Sequence, residues 1–249
     1  MYRALFVSLL VLCAPLTVAP LTADPLWAAA VSHFARSRDI YASRMQTESA
    51  EFDGRGVRRS HREIEVAVSV TNTGEFSSRL LRARENGRDI APGSVTTGNP
   101  LFGADAQDAG DEGRAASMAA VEQSPFDPLL QSTVSYTRVG SARTPGGLPA
   151  VEYRYTQTGA AHTISGTAWL NPQTGHPIAL RASVTPLPRF VREMIVEQDF
   201  GVNENGWFTT EVRVRADGGF LFVRRSVHVD LRFMDHLRSP VPLKRSIPS

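Results

Sequence analysis

Histidines and carboxylates are the residues of this chain whose types could support chemistry, and their spacing does not predict a reactive centre. The six histidines are His33, His61, His162, His176, His228 and His236. None belongs to a His-Glu-x-x-His motif or to a helical i, i+4 pair, which are spacings that zinc sites use. The histidines are therefore predicted to be surface or rim residues, and the sequence predicts no metal and no cofactor.

Motifs of nucleophilic and phosphate chemistry are absent from the sequence, which has no Gly-x-Ser-x-Gly, no Ser-x-x-Lys and no glycine-rich phosphate loop. The acidic residues within 105–112 lack the alternating oxygen ligands of a calcium loop, which favours a solvated acidic loop. Glu63 and Glu65 lie on one polar face of a predicted strand, where they serve solubility rather than acid–base catalysis. The sequence therefore predicts a protein that is not an enzyme.

Four arginines near a predicted hairpin form the most basic segment: Arg55, Arg58, Arg59 and Arg62. One interpretation is contact with anionic lipid headgroups or with a membrane-bound partner. The other is ordinary surface charge, balanced by the glutamates at 48, 51, 63 and 65. The formal net charge of only +2 over 249 residues does not indicate nucleic-acid binding, so no nucleic-acid partner is predicted.

An apolar segment follows two prolines at 186 and 188. Phe190, Val191, Met194 and Ile195 follow this rigid connection. They could form an exposed lip that guides a lipid tail, or they could cap the core. Met194 offers an adaptable contact surface in either case.

The elements that would position these residues begin with a helix, predicted from Pro25 to about Met45. Leu26, Ala30, Phe34 and Tyr41 recur at near-helical spacing, so this helix either packs on the core or also lids a cavity. The period then changes to two over residues 63–71, which predicts a half-buried strand after a turn at Asp53-Gly54. Another strand is predicted from 76 to 84, ending at an Asn86-Gly87 turn.

The second half of the chain reads as a run of short strands with turn residues between them. They are predicted at 133–139, 151–155, 162–170, 178–184, 194–202, 207–215 and 220–233. Turns are predicted at Asn171-Pro172, Asn205-Gly206 and Asp217-Gly218-Gly219. Residues 89–128 lack a sustained period and are predicted to be a long, partly mobile insertion.

Together these patterns predict a mainly β fold of roughly ten antiparallel strands with a few helices. A hydrophobic fraction of 42% allows a sizeable core. A flat sheet of ten strands would curl or close, which places the apolar face inward. Side chains could fill the interior, a helix could occupy it, or it could be a greasy cavity; the pattern does not choose among these.

The first residues have the layout of a secretory signal peptide: Arg3 is followed by an apolar run over residues 4–12 and then by small residues. Cleavage is predicted after Ala23, with cleavage after Ala30 or an uncleaved anchor as alternatives. Cys13 lacks the small preceding residue of a lipoprotein signal. The sequence therefore predicts an exported periplasmic protein that is not itself a lipoprotein.

Residues 166–177 read Gly-Thr-Ala-Trp-Leu-Asn-Pro-Gln-Thr-Gly-His-Pro. This segment resembles the strand–turn–strand of the LolA/LolB-like periplasmic lipoprotein carriers and their relatives. The helix after a signal peptide and the long late strand ending at Phe233-Met234-Asp235 are also similar to that family, whereas the central insertion is longer. The resemblance implies an unclosed antiparallel barrel, with a helix in or across it, that binds acyl chains of lipoproteins or other lipids in its concavity.

The predicted organisation is a signal peptide over 1–23 and one half-barrel domain over 24–249, with the insertion at about 89–128. The predicted function is an exported carrier of lipid or acylated lipoprotein, with an inner- or outer-membrane protein as a further possible partner. The alternative is an envelope interaction or stress-sensor module without cargo. Apolar candidates for the ligand-binding cavity or lip are Trp27, Phe34, Val66, Val68, Trp169, Phe190, Met194, Val223 and Val227.

Overall fold

Among the residues that the structure describes, eleven strands form one antiparallel sheet whose two end strands do not pair with each other. The computed structural model describes residues 24–91, 123–187, 190–220 and 223–243. The elements are α1 (Pro25–Arg36), β1 (Ile40–Asp53), β2 (Arg58–Val70), β3 (Phe76–Glu85), β4 (Arg88–Asp89), a 3-10 helix (Pro128–Thr133), β5 (Val134–Arg143), β6 (Pro149–Thr158), β7 (Thr163–Leu170), β8 (Pro177–Thr185), β9 (Val191–Asn203), β10 (Gly206–Phe220) and β11 (Val223–Arg238). Their order across the sheet is β4-β3-β2-β1-β11-β10-β9-β8-β7-β6-β5. The predicted fold class, an unclosed antiparallel sheet with an N-terminal helix, is confirmed.

Helix α1 is shorter than its sequence pattern predicts. The carboxylate of Asp24 accepts hydrogen bonds from the backbone N–H of Leu26 and of Trp27, at 3.0 and 3.4 Å, so it caps the first turn. The helix ends at Arg36. The residues that were expected to extend it to about Met45 instead belong to β1, because backbone pairing with β11 along the whole of β1 overrides their weak helical spacing.

The face of the sheet on which α1 packs is called the inner face, and the opposite one the outer face. Trp27 anchors the helix there with only 2% of its surface exposed. Its ring stacks on Tyr136 at 4.2 Å and lies 4.9 Å from Phe126, between ring centroids. Its Nε1 donates to Gln131 of the 3-10 helix at 3.2 Å. The inner face of β6–β10 is therefore filled by the protein's own side chains.

The remaining core residues extend this packing along the strands. They include Tyr153, Leu170, Leu180, Val196, Val212 and Leu231. They follow the two-residue alternation that was predicted for the second half of the chain, since each strand contributes every other side chain to the inner face.

Most predicted turns are confirmed, and one is wrong. Asp53 ends β1, and Asn86 and Gly87 connect β3 to β4 with positive φ angles of 51° and 81°. The predicted turn at 217–219 is instead part of β10, where Gly218 pairs with Arg225. A Cβ at Gly218 would lie 2.4 Å from the carbonyl oxygen of Phe190, so this glycine permits a close backbone approach rather than a turn.

Two predicted segments fall beyond the described residues: the signal peptide and most of the insertion, residues 92–122. Across the described ranges, no helix has both the length and the apolar character needed to cross a bilayer.

Gly175 in the β7–β8 turn lies in close contact with α1. Its φ is +71°, and an added Cβ would lie 2.7 Å from the Cβ of Ala29 and 2.9 Å from the carbonyl oxygen of Leu26. We expect Gly175→Ala to lower the free energy of unfolding by roughly 1–2 kcal/mol for the left-handed backbone and by about 1–3 kcal/mol more for the displaced helix. Denaturant unfolding measures the loss.

The matched control is Gly147→Ala in the β5–β6 turn. Gly147 has a φ of +85°, but nothing lies within 4 Å of the added Cβ. This control therefore reports the backbone cost alone. Equal losses of stability in the two variants would show that α1 does not bear on Gly175.

Candidate functional site

The inner face continues beyond the helix onto β1–β3 as a strip of apolar side chains. Met45 pairs with Val66, and Val66 pairs with Leu80, so these three side chains share the inner face. Val68 and Val70 follow on the same side of β2 because side chains alternate along a strand. Met45, Val68, Val70 and Leu80 are half-buried. Among the described elements α1 packs mainly on β7, β10 and the 3-10 helix. The apolar strip therefore lies beside the helix rather than under it.

The strip is elongated and ends at two aromatic rings. Ile64 and Val66 at one end are only 8% and 7% exposed. At the other end Tyr41 meets Phe76 edge-on, with ring centroids 6.3 Å apart, and Phe76 is 49% exposed. The distance along β2 from Ile64 to Val70 is roughly 20 Å at the usual strand rise. This geometry suits one extended hydrocarbon chain better than a compact polar molecule.

Three predicted cavity residues lie instead in or against the packed core. Trp27 and Met194 are 2% and 3% exposed within it. Phe34 is half-buried against it, with its ring centroid 6.0 Å from that of Trp207. The expectation that they line an open cavity is therefore corrected: helix α1 and its contacts occupy that space.

The prediction that Trp169 lines the cavity is wrong for a different reason, because this residue lies on the outer face. It packs with Ala150 and Ala179, whereas its neighbours Ala168 and Leu170 belong to the inner core. Strand alternation separates it from any cavity on the inner face. Its indole Nε1 is buried and has no hydrogen-bond partner among the described residues.

The other predicted ligand contacts are distributed along the sheet. Val66 and Val68 are members of the apolar strip. Val227 is half-buried on β11 against the core. Phe190 is 49% exposed before β9. For Val223 the structure describes only the backbone, which pairs with Phe220.

The predicted basic patch is divided between the two faces and partly neutralised. Arg59 donates to Asp53 at 2.5 Å, and Arg62 donates to Glu85 at 3.1 Å on the inner face. Arg58 and Arg55 are exposed. Arg59 and Arg62 are thus paired with carboxylates, but these are Asp53 and Glu85 rather than the glutamates at 48, 51, 63 and 65 that the sequence suggested.

The outer face is polar. One pocket on it has a volume of about 390 Å³ and is lined by Glu48, Ala50, Phe52, Arg58, His61, His228 and Asp230. The Nε2 of His61 lies 2.9 Å from the carboxylate of Glu48. Within the part of the chain that the structure describes, no three histidine, cysteine or acidic residues are grouped to hold a metal ion. Ion pairs such as Arg213 with Asp199, at 2.8 Å, occupy neighbouring positions of this face.

Comparisons with known proteins give no family assignment. No family model matches this chain, and no curated protein matches it. A solved DUF1329 family protein from Desulfovibrio piger is 11% identical with a TM-score of 0.37, over 88% of this chain and 93% of that one. A lipovitellin structure described by its lipid–protein interactions is 10% identical with a TM-score of 0.34, over 83% of this chain and 26% of that one. Both TM-scores are too low to support an inference, so function is inferred from this chain's own residues.

Met45 and Leu80 are members of the strip that sequence reasoning missed for identifiable reasons. Met45 was assigned to the helix, so its alternation with Thr47 along β1 was not recognised. Leu80 precedes a bulge, where β3 has one more residue than β2 opposite it, between the pairs Leu80–Val66 and Arg82–Glu65. Such an insertion changes which side chains face inward, and single-residue periodicity does not reveal it.

The contact between His33 near the end of α1 and His176 predicts that the stability of the fold decreases in acid. The rings of His33 and His176 stack with centroids 3.6 Å apart, and Arg36 lies 2.9 Å from Nδ1 of His33. Burial, with His33 and Arg36 nearby, lowers the pKa of His176 below its ordinary value of 6.5. Burial likewise lowers the pKa of His236.

Folding thus disfavours protonation of His176 and His236, and the unfolded chain binds protons at these two histidines more readily. We expect the free energy of unfolding to fall as the pH drops below about 6.5, down to the lowered values in the folded state. His176→Gln should reduce this loss between about pH 7 and pH 5, measured by denaturant unfolding. His162→Gln, away from the stacked pair, serves as the control. An identical pH dependence in both variants would contradict the assignment.

Proposed function

We propose that this protein is an exported carrier that holds the hydrocarbon chain of a lipid or acylated lipoprotein against the inner face of β1–β3. The observation that supports the proposal is the half-buried apolar strip beside the helix-covered core. Completing the burial of an apolar side chain contributes up to about 1.5–3 kcal/mol. A hydrocarbon chain laid along the strip would complete that burial for several side chains at once.

The chemistry of the strip fits an acyl chain in particular. Its members are aliphatic over the middle of β2, and the flexible thioether of Met45 adapts to chains of differing shape. Tyr41 and Phe76 lie at the end of the strip, where a wider group could rest on their rings. The protein would bind its cargo without making or breaking a bond. The resemblance of residues 166–177 to the lipoprotein carriers suggests an acylated lipoprotein as one such cargo.

Introducing a carboxylate into the apolar strip by mutation tests the proposed binding site directly. We expect Val68→Asp to weaken binding of a fluorescent fatty acid by at least about tenfold, because a charge against a hydrocarbon chain is costly. Ser69→Asp is the matched control, since Ser69 is exposed and adjacent on the other face of the same strand. Val68→Ser tests the same position without a charge and should weaken binding less.

Mass spectrometry of the protein purified from its native envelope gives an independent measurement. Co-purified lipid or acylated peptide is the expected finding. A protein that purifies free of lipid, and that also fails to bind the fatty-acid probe, would exclude the carrier function.

The N-terminal geometry supports processing after Ala23 over the alternative after Ala30. The carboxylate of Asp24 accepts a hydrogen bond from the hydroxyl of Tyr153 at 2.6 Å, and the backbone N–H of Asp24 donates to the hydroxyl oxygen of Tyr136 at 3.2 Å. Burial raises the pKa of Asp24, but hydrogen bonds from Tyr153 and from the first turn lower it below its usual value. Cleavage after Ala30 would remove Asp24 together with Trp27, the anchor of the helix.

We therefore expect the mature protein to begin at Asp24 when it is recovered from the periplasm and measured by intact-mass spectrometry. The mature form should also be more stable than a variant that begins at Val31. A native N-terminus at Val31, or equal stability of the two forms, would refute this processing site.

The interaction-module alternative has one supporting observation. Strand β4 pairs only with the last two residues of β3, Arg84 and Glu85. Among the described residues, the edge of β3 that faces away from β2 is therefore open from residue 76 to 82 for the addition of another strand. Stoichiometric lipid in the purified protein would favour the carrier, and its absence would favour this alternative.

A further inference from the structure

One end of the sheet brings together arginines that are far apart in the sequence. The β1–β2 turn, the start of β9 and the end of the β10–β11 hairpin meet there. An added Cβ at Gly54 would lie 3.1 Å from the Cβ of Arg224, which shows how closely the turn approaches the hairpin. A pocket of about 200 Å³ at this junction has Asp53, Gly54, Arg192, Asp217, Arg224 and Arg225 in its lining. We call this the arginine cleft.

The arginine cleft has an excess of available positive charge. Within the described ranges, no carboxylate lies within 4 Å of the guanidinium groups of Arg192 and Arg224, and both side chains are exposed. Arg225 lies 3.8 Å from Glu51 and remains 69% exposed. The two carboxylates that line the cleft are Asp53 and Asp217. Asp53 already accepts hydrogen bonds from Arg59, so the positive charge of the cleft exceeds the negative charge.

An exposed aromatic side chain lies beside the arginine cleft. The carbonyl oxygen of Phe190 accepts a hydrogen bond from the backbone N–H of Gly219 at 2.9 Å, which holds Phe190 against β10. Phe190 has a φ of +71°, a left-handed conformation that is unfavourable for a bulky residue. Its side chain is nonetheless 49% exposed, and Val57 in the adjoining β1–β2 turn is 52% exposed.

We infer that this end of the sheet docks on an anionic bilayer surface. The guanidinium groups of Arg192 and Arg224 bind lipid phosphates, for which the planar fork of arginine provides paired hydrogen bonds. Phe190 and Val57 enter the headgroup region, as aromatic and aliphatic groups flanked by basic residues do at membrane interfaces. This surface is separate from the apolar strip on β1–β3, and its function does not depend on acyl-chain binding there.

The combination of features selects a bilayer over a soluble anion. A pocket of this size accommodates one phosphate-bearing headgroup, but dissolved phosphate would make no use of the exposed Phe190 and Val57. A lipid surface offers both phosphates and an apolar layer within the reach of one edge of the protein. Attraction between basic residues and such a surface weakens as salt increases.

Vesicle flotation tests the inference with the mature protein. We expect the wild type to float with phosphatidylethanolamine vesicles that contain phosphatidylglycerol and to remain behind with phosphatidylethanolamine alone, and added salt should release it. Arg192→Ser combined with Arg224→Ser should weaken the partition by at least about tenfold. Arg79→Ser combined with Arg154→Ser removes two exposed arginines from other strands and controls for net charge.

A second variant separates membrane contact from folding. Phe190→Gly removes the ring while relieving the left-handed backbone, so we expect vesicle partition to fall while the thermal midpoint shows that the protein remains folded. The double arginine variant should still bind the fluorescent fatty acid, and Val68→Asp should still float with vesicles. These readouts distinguish failure of docking from failure of the carrier function.

Three results would overturn the inference. The wild type could fail to float with anionic vesicles. The control pair at 79 and 154 could lose as much binding as the pair in the cleft. The protein could bind inorganic phosphate in solution while showing no affinity for the vesicles.

Discussion

The insertion of Trp27 into the inner face is the interaction on which the rest of the structure depends. The indole contacts the aromatic rings of β5 and β6 and donates to Gln131 of the 3-10 helix. The carboxylate of Asp24 caps α1 and accepts a hydrogen bond from the hydroxyl of Tyr153. Helix position, core packing and the N-terminal end of the fold are therefore joined in one cluster. Because proteins tolerate few voids in such a cluster, the helix has one position over β6–β10, and its main contacts lie there rather than on β1–β3.

This unequal coverage gives the two halves of the sheet different roles. Both halves place aliphatic side chains on the inner face by the same alternation. Under α1 those side chains meet protein atoms and form the core. On β1–β3 Val68, Val70 and Leu80 remain half-buried, and apolar surface left partly in water favours binding of an apolar partner. The open sheet thus has a filled half that provides stability and a second half available for a ligand.

The outer face and the sheet ends are organised by charge instead. Ion pairs such as Arg213–Asp199 and Arg215–Asp230 follow the exposed strands. Exposed pairs of this kind contribute little to stability, but they neutralise most of the arginines. Arg192 and Arg224 belong to the described arginines that have no carboxylate within 4 Å, and the folded sheet brings these two together in the arginine cleft, which is why that end of the sheet can attract anions.

The sequence by itself determined the class of fold and most strand positions, because two-residue alternation and glycine-containing turns are local signals. It also identified Val66 and Val68 as inward-facing residues. Only the tertiary structure decided that β1 is a strand, since its partner β11 is nearly two hundred residues away along the chain. The same applies to Trp27, whose spacing fitted either a lid or a core helix, and to Trp169, whose face depends on the register of its hairpin. Arg192 and Arg224 meet the β1–β2 turn only when the sheet forms, so no local pattern could reveal the arginine cleft.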